Sequence, residues 1–300
     1  MEGALLVVKP PGMTSHDVVD FFRRLTGIKA GHTGTLDTAA AGLLVLCVGR
    51  ATRLAQHLVG CDKTYWAEAS FGLGTDSGDA EGRIVARGSA EGLTEAAVAA
   101  TMGRLTGRLS LQVPRYSAIK SGGQPLHRKA RRGEAVEAPE RQMRVHRWEL
   151  REFRPGPAAV ARTEMDCASG TYVRSLVQAL AEAVGVPAYL LFLVRTRVGH
   201  LHLAEAWSLE EIEQAQAAGS LQDLILPPAE VLAHLPAVTL DEEEELRVRH
   251  GRAVALGPAE AGASPLRLLD ARGALLAVGR VEEAQGEWLA WPETVLASAD

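Results

Sequence analysis

The chain has 300 residues, 47% of them hydrophobic and 23% charged, with a formal net charge of -5. That balance excludes a disordered or fibrous chain, and with no apolar stretch approaching about 18 residues it excludes a membrane-spanning helix. Three widely separated cysteines, Cys47, Cys61 and Cys167, make neither a CxxC pair nor a zinc spacing, which points to a reducing, cytoplasmic setting.

Met1–Gly3 runs straight into ALLVVKPPG, too short and too soon broken for a signal peptide. Ala4–Val8 is an apolar strand ended by Pro10, Pro11 and Gly12, because proline lacks the amide that a ladder needs. Thr14 with Asp17 three residues on forms a capping-box pattern. Val18, Val19, Phe22 and Leu25 then recur at helical spacing, and Gly27 is the stop. GHTGTLDTAAAGLL (31–44) follows, a glycine- and threonine-rich bend carrying His32 and Asp37. It runs into LLVLCV (Leu43–Val48), an apolar run of strand length between two glycines.

GRATRLAQHLVG reads as a short helix with Leu54 and Leu58 on one face. Lys63–Leu73 alternates, with Tyr65, Ala67, Ala69 and Phe71 on one face and Trp66, Glu68 and Ser70 on the other. GTDSGDAEG (Gly74–Gly82) superficially resembles a calcium loop. No helix pattern and no correctly spaced terminal Glu follow it, so a connecting turn is the better reading. Ile84–Val85 resumes a strand, Thr94–Leu105 is an amphipathic helix, and Leu109–Val113 leads into a turn-rich basic segment. Met143–Phe153 is a strand crowded with arginines, and 158–168 is another, ending at Cys167. Thr171 is the expected cap of a helix with Val173, Leu176, Val177, Leu180 and Val184 as its apolar stripe and Gly185 past its end. Pro187–Val198 is apolar and then basic, and Ser208 with Glu211 caps a helix to about Ala218. Pro227, Pro228 and Pro236 punctuate a boundary. Beyond it Leu246–Val254 is read as a strand, and PLRLLDARGALLAVGRV as a hairpin turning at Ala271–Gly273. The division expected is a main domain over 1–235 and a small β domain over 236–300.

Net charge hides an asymmetry. Residues 1–200 carry +7 and residues 241–300 carry -6, including DEEEE at 241–245. Residues 120–154 alone hold ten basic and five acidic side chains. A solvated face and a phosphate-contacting insertion both fit that stretch.

There is no GxGxxG after a strand, no GxxxxGK[ST], no HExxH and no GxSxG. The histidines do not pair with cysteine at ligand spacing, so neither a metal nor a nucleotide cofactor is expected. Asp37 remains, either as a cap for its own turn or as a reacting carboxylate on a backbone that glycines let approach a ligand. His32 could bond the same turn or reach a substrate. Arg174 falls in the first turn of a helix, where a cation opposes the helix dipole; such a position asks for a specific anionic partner. A guanidinium facing Asp37 would favour carboxylate over acid, which suits a nucleophile or base. Tyr65 and Tyr172 are either core residues or stacking platforms for bases.

GHTGTLDTAAAGLL resembles the catalytic motif of pseudouridine synthases, specifically the TruB family of bacterial tRNA pseudouridine-55 synthases. VVKPPGMTSHDVV (7–19), DKTYWAEASFGLGTDSGDAEG (62–82), VPRYSAIKSGG (113–123), CASGTYVRSL (167–176) and LLFLVRTRVG (190–199) stand in the expected order over nearly the whole chain. The resemblance implies an α+β pseudouridine synthase fold, a mixed and mostly antiparallel sheet flanked by helices, closed by a small PUA-like β domain that helps hold RNA. It implies isomerisation of uridine 55 in the tRNA T loop, without cofactor or guide RNA, by a monomer that associates with no membrane.

Carried over residue by residue, Asp37 would be the essential aspartate and Arg174 its ion-pair partner. Tyr65 would stack on the uracil and serve in proton transfer at C5. His32 would fill the space left by the flipped uridine, and Thr33 and Gly34 would line the bend. Tyr172 and Leu193 would line the pocket, while Lys9 and Pro10 would support the catalytic loop. Residues 120–154 would form a basic insertion clasping the T stem, with Arg128, Lys129, Arg131, Arg132, Arg144 and Arg147 on RNA phosphates. The chain departs from the family pattern twice. Thr38 stands where proline commonly follows the aspartate, and Val194 where arginine is common. The readings set against this one are a synthase of the same fold with another RNA target, guided or not, and a non-catalytic tRNA chaperone.

Overall fold

A computed structural model describes residues 1–116, 120–121, 124–125, 138–258, 260, 262–284 and 286–296. The first half contributes β1 (Gly3–Lys9), α1 (Ser15–Thr26), β2 (Ala30–His32), β3 (Ala41–Val48), α2 (Ala55–Val59), β4 (Lys63–Phe71), β5 (Leu73–Thr75), β6 (Ile84–Arg87), α3 (Glu95–Arg104) and β7 (Gly107–Gln112). Two short strands, β8 (Lys120–Ser121) and β9 (Gln124–Pro125), precede β10 (Glu140–Arg154) and β11 (Val160–Cys167). Next come α4 (Val173–Val184), β12 (Ala188–Val198), β13 (Leu201–His202), α5 (Leu209–Ala217), β14 (Ile225–Leu226) and α6 (Pro228–Val231). The remainder is β15 (Ala237–Thr239), α7 (Glu242–Arg249), β16 (Val254–Ala255), β17 (Leu266–Leu269), β18 (Leu275–Ala284) and β19 (Glu287–Val295).

The main sheet runs β14-β1-β3-β12-β4-β11-β10-β7, with β2 paired to β3 and β13 to β12. It is mixed and mostly antiparallel, β12 against β3 being parallel. Its centre explains the uninterrupted apolar run of β3. Leu43, Val45 and Cys47 face one hydrophobic cluster while Leu44, Leu46 and Val48 face another, so both faces of the strand are covered and neither has a reason to be polar. β4 keeps the expected alternation, with Tyr65, Ala67, Ala69 and Phe71 packing beneath α3 and α4 and Trp66 outside, 57% exposed. The chains approach closely where β3 meets β12. A Cβ at Gly42 would lie 2.3 Å from the Arg195 carbonyl oxygen, and φ there is +108°, so only glycine fits.

Helix ends follow the local chemistry. Thr14 and Asp17 form the capping box of α1, and Gly27 ends the helix in the left-handed region. Ser208 and Glu211 cap α5 in the same way, and Gly185 closes α4. The cap of α4 is a correction. Tyr172 occupies the N-cap without a side-chain bond, because the Thr171 hydroxyl donates instead to the Arg144 carbonyl.

The C-terminal sheet, β15-β17-β18-β19-β16, is a small β unit, with its hairpin turning where expected. Leu246–Val254 needs a second correction, since Glu242–Arg249 is a helix. Asp241 supplies a capping box with Glu244, glutamates fill the first turn and Arg247 and Arg249 the last. That charge order suits the helix dipole and overrides the weak strand pattern. A third concerns the basic stretch. Its second half, Glu140–Arg154, is a strand of the main sheet paired with β7 and β11 rather than part of an insertion.

Candidate active site

Asp37 sits on the bend between β2 and β3. Two neighbours hold that bend by its backbone. Ser15 Oγ receives the Leu36 amide at 2.8 Å and donates to the Leu36 carbonyl at 3.2 Å. Lys9, fully buried, donates from Nζ to the Pro10, Met13 and Thr38 carbonyls at 3.0, 2.5 and 3.2 Å. The Gly12 amide also reaches the Thr38 carbonyl, at 2.8 Å, and the Ala40 amide closes a turn on the Asp37 carbonyl at 3.1 Å. Burial pulls Lys9 down to about 8, against the opposing pull of Asp37 and Glu81.

Arg174 enters from the first turn of α4, 4% exposed, and supplies the charge partner that its position asks for. Its Nη2 lies 3.0 Å from Asp37 Oδ2 and 3.1 Å from Oδ1. The same guanidinium donates to the Tyr116 carbonyl at 3.1 Å and the Ser77 carbonyl at 3.3 Å, and its Nη1 stands 3.4 Å from Asp79 Oδ2. Asp79 in turn accepts from Ser77 Oγ and from the Glu81 amide. The acidic turn is thus a buttress. Asp76 pairs with Arg83, and Asp79 holds the far edge of Arg174.

A cleft of about 600 Å³ opens over this pair. Of the residues expected at the site, it brings together Asp37, Arg174, Tyr65, His32, Thr33, Gly34, Tyr172 and Leu193. Lys9 lies beneath the bend rather than on the cleft wall, and Pro10 contributes the carbonyl that Lys9 bonds. Tyr65 is 9% exposed, and burial pushes its phenol up. Tyr172 is half-buried and raised for the same reason. His32 is pushed down by burial first and then by Arg195 and His16, and its Nδ1 is a buried atom without a hydrogen-bond partner among the described residues. Among the described residues no three His, Cys, Asp or Glu side chains converge as a metal site.

The basic residues divide. Arg128, Lys129, Arg131 and Arg132 lie outside the described residues. Arg144 is exposed on β10. Arg147 is committed to Asp166 at 2.8 Å, Glu164 at 2.9 Å and Glu149 at 2.8 Å on the outer sheet face.

Sequence reasoning missed Arg195, 2% exposed, which donates from Nε to the Leu43 carbonyl at 2.8 Å and from Nη2 to the Gly34 carbonyl at 3.0 Å. It also missed Lys63, buried and bonded to the Val59 and Cys61 carbonyls at 2.7 and 2.6 Å. The signal was present in LVRTRV, where strand alternation puts Leu193 and Arg195 on the same face.

A cleft across a mixed sheet, with a carboxylate paired to a buried arginine, has the form of an enzyme active site. The fold is shared by several solved structures. One described as an H/ACA RNP bound to a substrate RNA has a TM-score of 0.76 at 23% identity, covering 99% of this chain and 86% of that one. A Cbf5-Nop10-Gar1 complex gives 0.76 at 24% identity, with 99% and 85% covered. The model of the TruB family pseudouridylate synthase N-terminal domain matches residues 23–173. The tRNA pseudouridine synthase B of Symbiobacterium thermophilum is 48% identical over 85% of this chain and 84% of its own. That of Moorella thermoacetica is 41% identical over 98% and 99%. The chain belongs to the TruB family of pseudouridylate synthases, and it is an isomerase.

Proposed function

We propose that this chain converts uridine 55 in the T loop of tRNA to pseudouridine. The observation that carries the reading is the 3.0 Å contact between Asp37 and Arg174. It ties two family motifs 137 residues apart into one cleft. The names of the relatives supply tRNA as the substrate class.

In this reading the uridine flips out of the loop, at about a few kcal/mol of lost stacking, and enters the cleft. Tyr65 stacks on the uracil while Leu193 and Tyr172 confine it, and His32 takes up the space left in the RNA. Asp37, aimed by Arg174, starts cleavage of the N1–C1′ bond by attack on C1′ or the ring, or by taking the C2′ proton. The detached base turns within a closed pocket and rejoins C1′ through C5, an arrangement in which confinement replaces a second encounter. Residues 1–235 carry the chemistry, the basic segment beginning near residue 120 clasps the T stem, and residues 236–300 assist RNA binding. The enzyme works as a cytoplasmic monomer without a guide RNA. No helix among the described residues is long and apolar enough to cross a membrane.

The test is incubation of the purified chain with an unmodified tRNA transcript and chemical mapping of pseudouridine. Product at position 55 is expected. Folded protein that binds the transcript but leaves position 55 unchanged would refute the reading. Asp37→Asn should keep tRNA affinity and abolish conversion.

A further inference from the structure

All the buried lysine and arginine side chains among the described residues, Lys9, Lys63, Arg174 and Arg195, stand at this site. Arg174 alone meets carboxylates, those of Asp37 and Asp79. Lys9 holds the bend from beneath. Lys63 and Arg195 are the remainder, and both line the cleft. Arg195 bonds the Leu43 and Gly34 carbonyls, and Lys63 bonds the Val59 and Cys61 carbonyls, with Ser169 Oγ 3.4 Å from its Nζ. Ser169 gives its own hydrogen to the Val59 carbonyl at 2.6 Å, so toward Lys63 its oxygen accepts. Three acceptors around Nζ suit the three hydrogens of an ammonium. They oppose the pull of burial, and then of Arg195, which draws Lys63 down. Asp62, next to Lys63 in the chain, is turned to His146 at 3.1 Å. Lys63 lies two residues from Tyr65 on the same face of β4, and Arg195 lies opposite Tyr65 across the β4–β12 ladder, on the cleft face with Leu193. The two cations therefore flank the side chains that confine the uracil. A buried charge with only peptide dipoles around it is costly to a fold.

We propose that Lys63 and Arg195 are the counter-charges of the uracil anion released when the N1–C1′ bond breaks. This deepens the functional reading above and rests on it. The pair of that bond stays on N1, and the charge spreads over N1, O2 and O4. Asp37 loses its own charge in the same stage, as one of its oxygens bonds C1′ or the ring, or takes the C2′ proton. One negative charge thus moves from beside Arg174 to the base, where two fixed cations are already in place and nothing has to reorganise to meet it. When C5 bonds C1′ with a pair from the ring, the charge returns to Asp37, which lets go of carbon or gives the proton back. The final shift of the C5 proton to N1 leaves the net charge of the site unchanged. The carbonyl anchors suit this role. They hold the cations still without cancelling their charge, as a carboxylate partner would.

The test compares two transcripts, one with uridine and one with 5-fluorouridine at position 55, in single turnover with enzyme in saturating excess. The readout is loss of the original nucleoside from a digest. Fluorine withdraws electrons, so the released base holds its charge with less help. Lys63→Met is expected to slow loss of uridine about tenfold or more, the size of one unit charge acting across a partly buried site. On the fluorinated transcript the same substitution should cost about threefold or less. A merely structural defect that misaims Asp37 slows both transcripts alike. Equal losses on the two, or no loss on uridine, would overturn the proposal. Ser169→Asp gives a second measurement that does not depend on the fold tolerating a change at 63. Ser169 is exposed, and a carboxylate there stands beside the Lys63 ammonium with every buried group left in place. It should slow loss of uridine about tenfold relative to Ser169→Asn, and equal rates in the two variants would overturn the proposal as well. Failure of the unsubstituted chain to make any pseudouridine is a separate result, which overturns the functional reading instead.

Discussion

Replacing Arg174 by methionine removes a buried cation from between two carboxylates and leaves a side chain of similar length. Asp79 is the more buried partner, its side chain 12% exposed, while Asp37 is 43% exposed. Breaking a buried ion pair from one side costs about 3–5 kcal/mol, because the remaining charge is stranded. An exposed pair is worth roughly 0–1 kcal/mol. Most of the stability loss therefore falls on Asp79 and most of the activity loss on Asp37. A total of about 3–4 kcal/mol corresponds to a fall in Tm of roughly 6–15 °C for a chain of this size. The activity effect comes from aim. Without Nη2 the Asp37 carboxylate is free to turn, and about 1 Å of misplacement costs on the order of 100-fold in rate. The assay is single-turnover pseudouridine formation with enzyme in excess, run well below the variant's own Tm, beside thermal unfolding. Arg174→Lys should fall between, since a point charge cannot hold two carboxylates at once. A folded Arg174→Met protein that converts tRNA within about threefold of the unsubstituted rate would refute the ion-pair argument.

Thr38→Pro should raise Tm, by about 0.4–1 kcal/mol of stability, with turnover retained. Thr38 is the second residue of the turn closed by the Ala40 amide on the Asp37 carbonyl, a position that suits proline. A lower Tm would show that the bend has another shape. The Lys9 ammonium gives up its proton near pH 8 in the folded chain and near 10.5 in the unfolded one. Between those values the unfolded chain binds more protons, so the penalty of burying Lys9 is full below about pH 8 and is relieved as pH rises toward 10.5. Denaturant unfolding should accordingly show a shallower rise across that window in Lys9→Met than in the unsubstituted chain, and parallel slopes would contradict it. Affinity for tRNA should fall steeply with added salt, and a flat dependence would remove the phosphate-clasp reading of the basic segment.

Local chemistry was legible wherever a few neighbouring residues decide the outcome. The Thr14–Asp17 box, the stops at Gly27 and Gly185, and the alternation that buries Tyr65 are decided by contacts within a turn or by one side of a sheet. Glu242–Arg249 was misread because its stripe is almost wholly polar, and only the charge order at its ends marks a helix. Arg195 was invisible for a different reason. Its meaning depends on Gly34 and Leu43, which meet it only after β12 inserts between β3 and β4. Asp79 looked like part of a connecting turn because its partner lies on α4. An anionic partner for Arg174 was anticipated from the awkwardness of a cation in a first helical turn, and the family resemblance, not the local pattern, pointed to Asp37.

The hydrophobic cluster behind β3 contains Leu6, Val45, Leu54 and Leu58 of the first sheet region together with Leu275, Val278 and Leu296 of the last. Arg53 also bonds the Val295 carbonyl at 2.8 Å, and Arg267 bonds the Leu235 and Ala229 carbonyls at 2.9 Å each. The C-terminal sheet is therefore not a detachable accessory. A truncation near residue 236 would strip the C-terminal side chains from the cluster behind the strand whose near end carries the Asp37 bend, exposing apolar side chains there. Lost activity in such a fragment would report a melted scaffold as readily as a missing RNA contact. Point substitutions on the outer surface of β18 or β19, which leave that shared cluster closed, are the way to separate what the C-terminal unit does for RNA from what it does for the enzyme's own integrity.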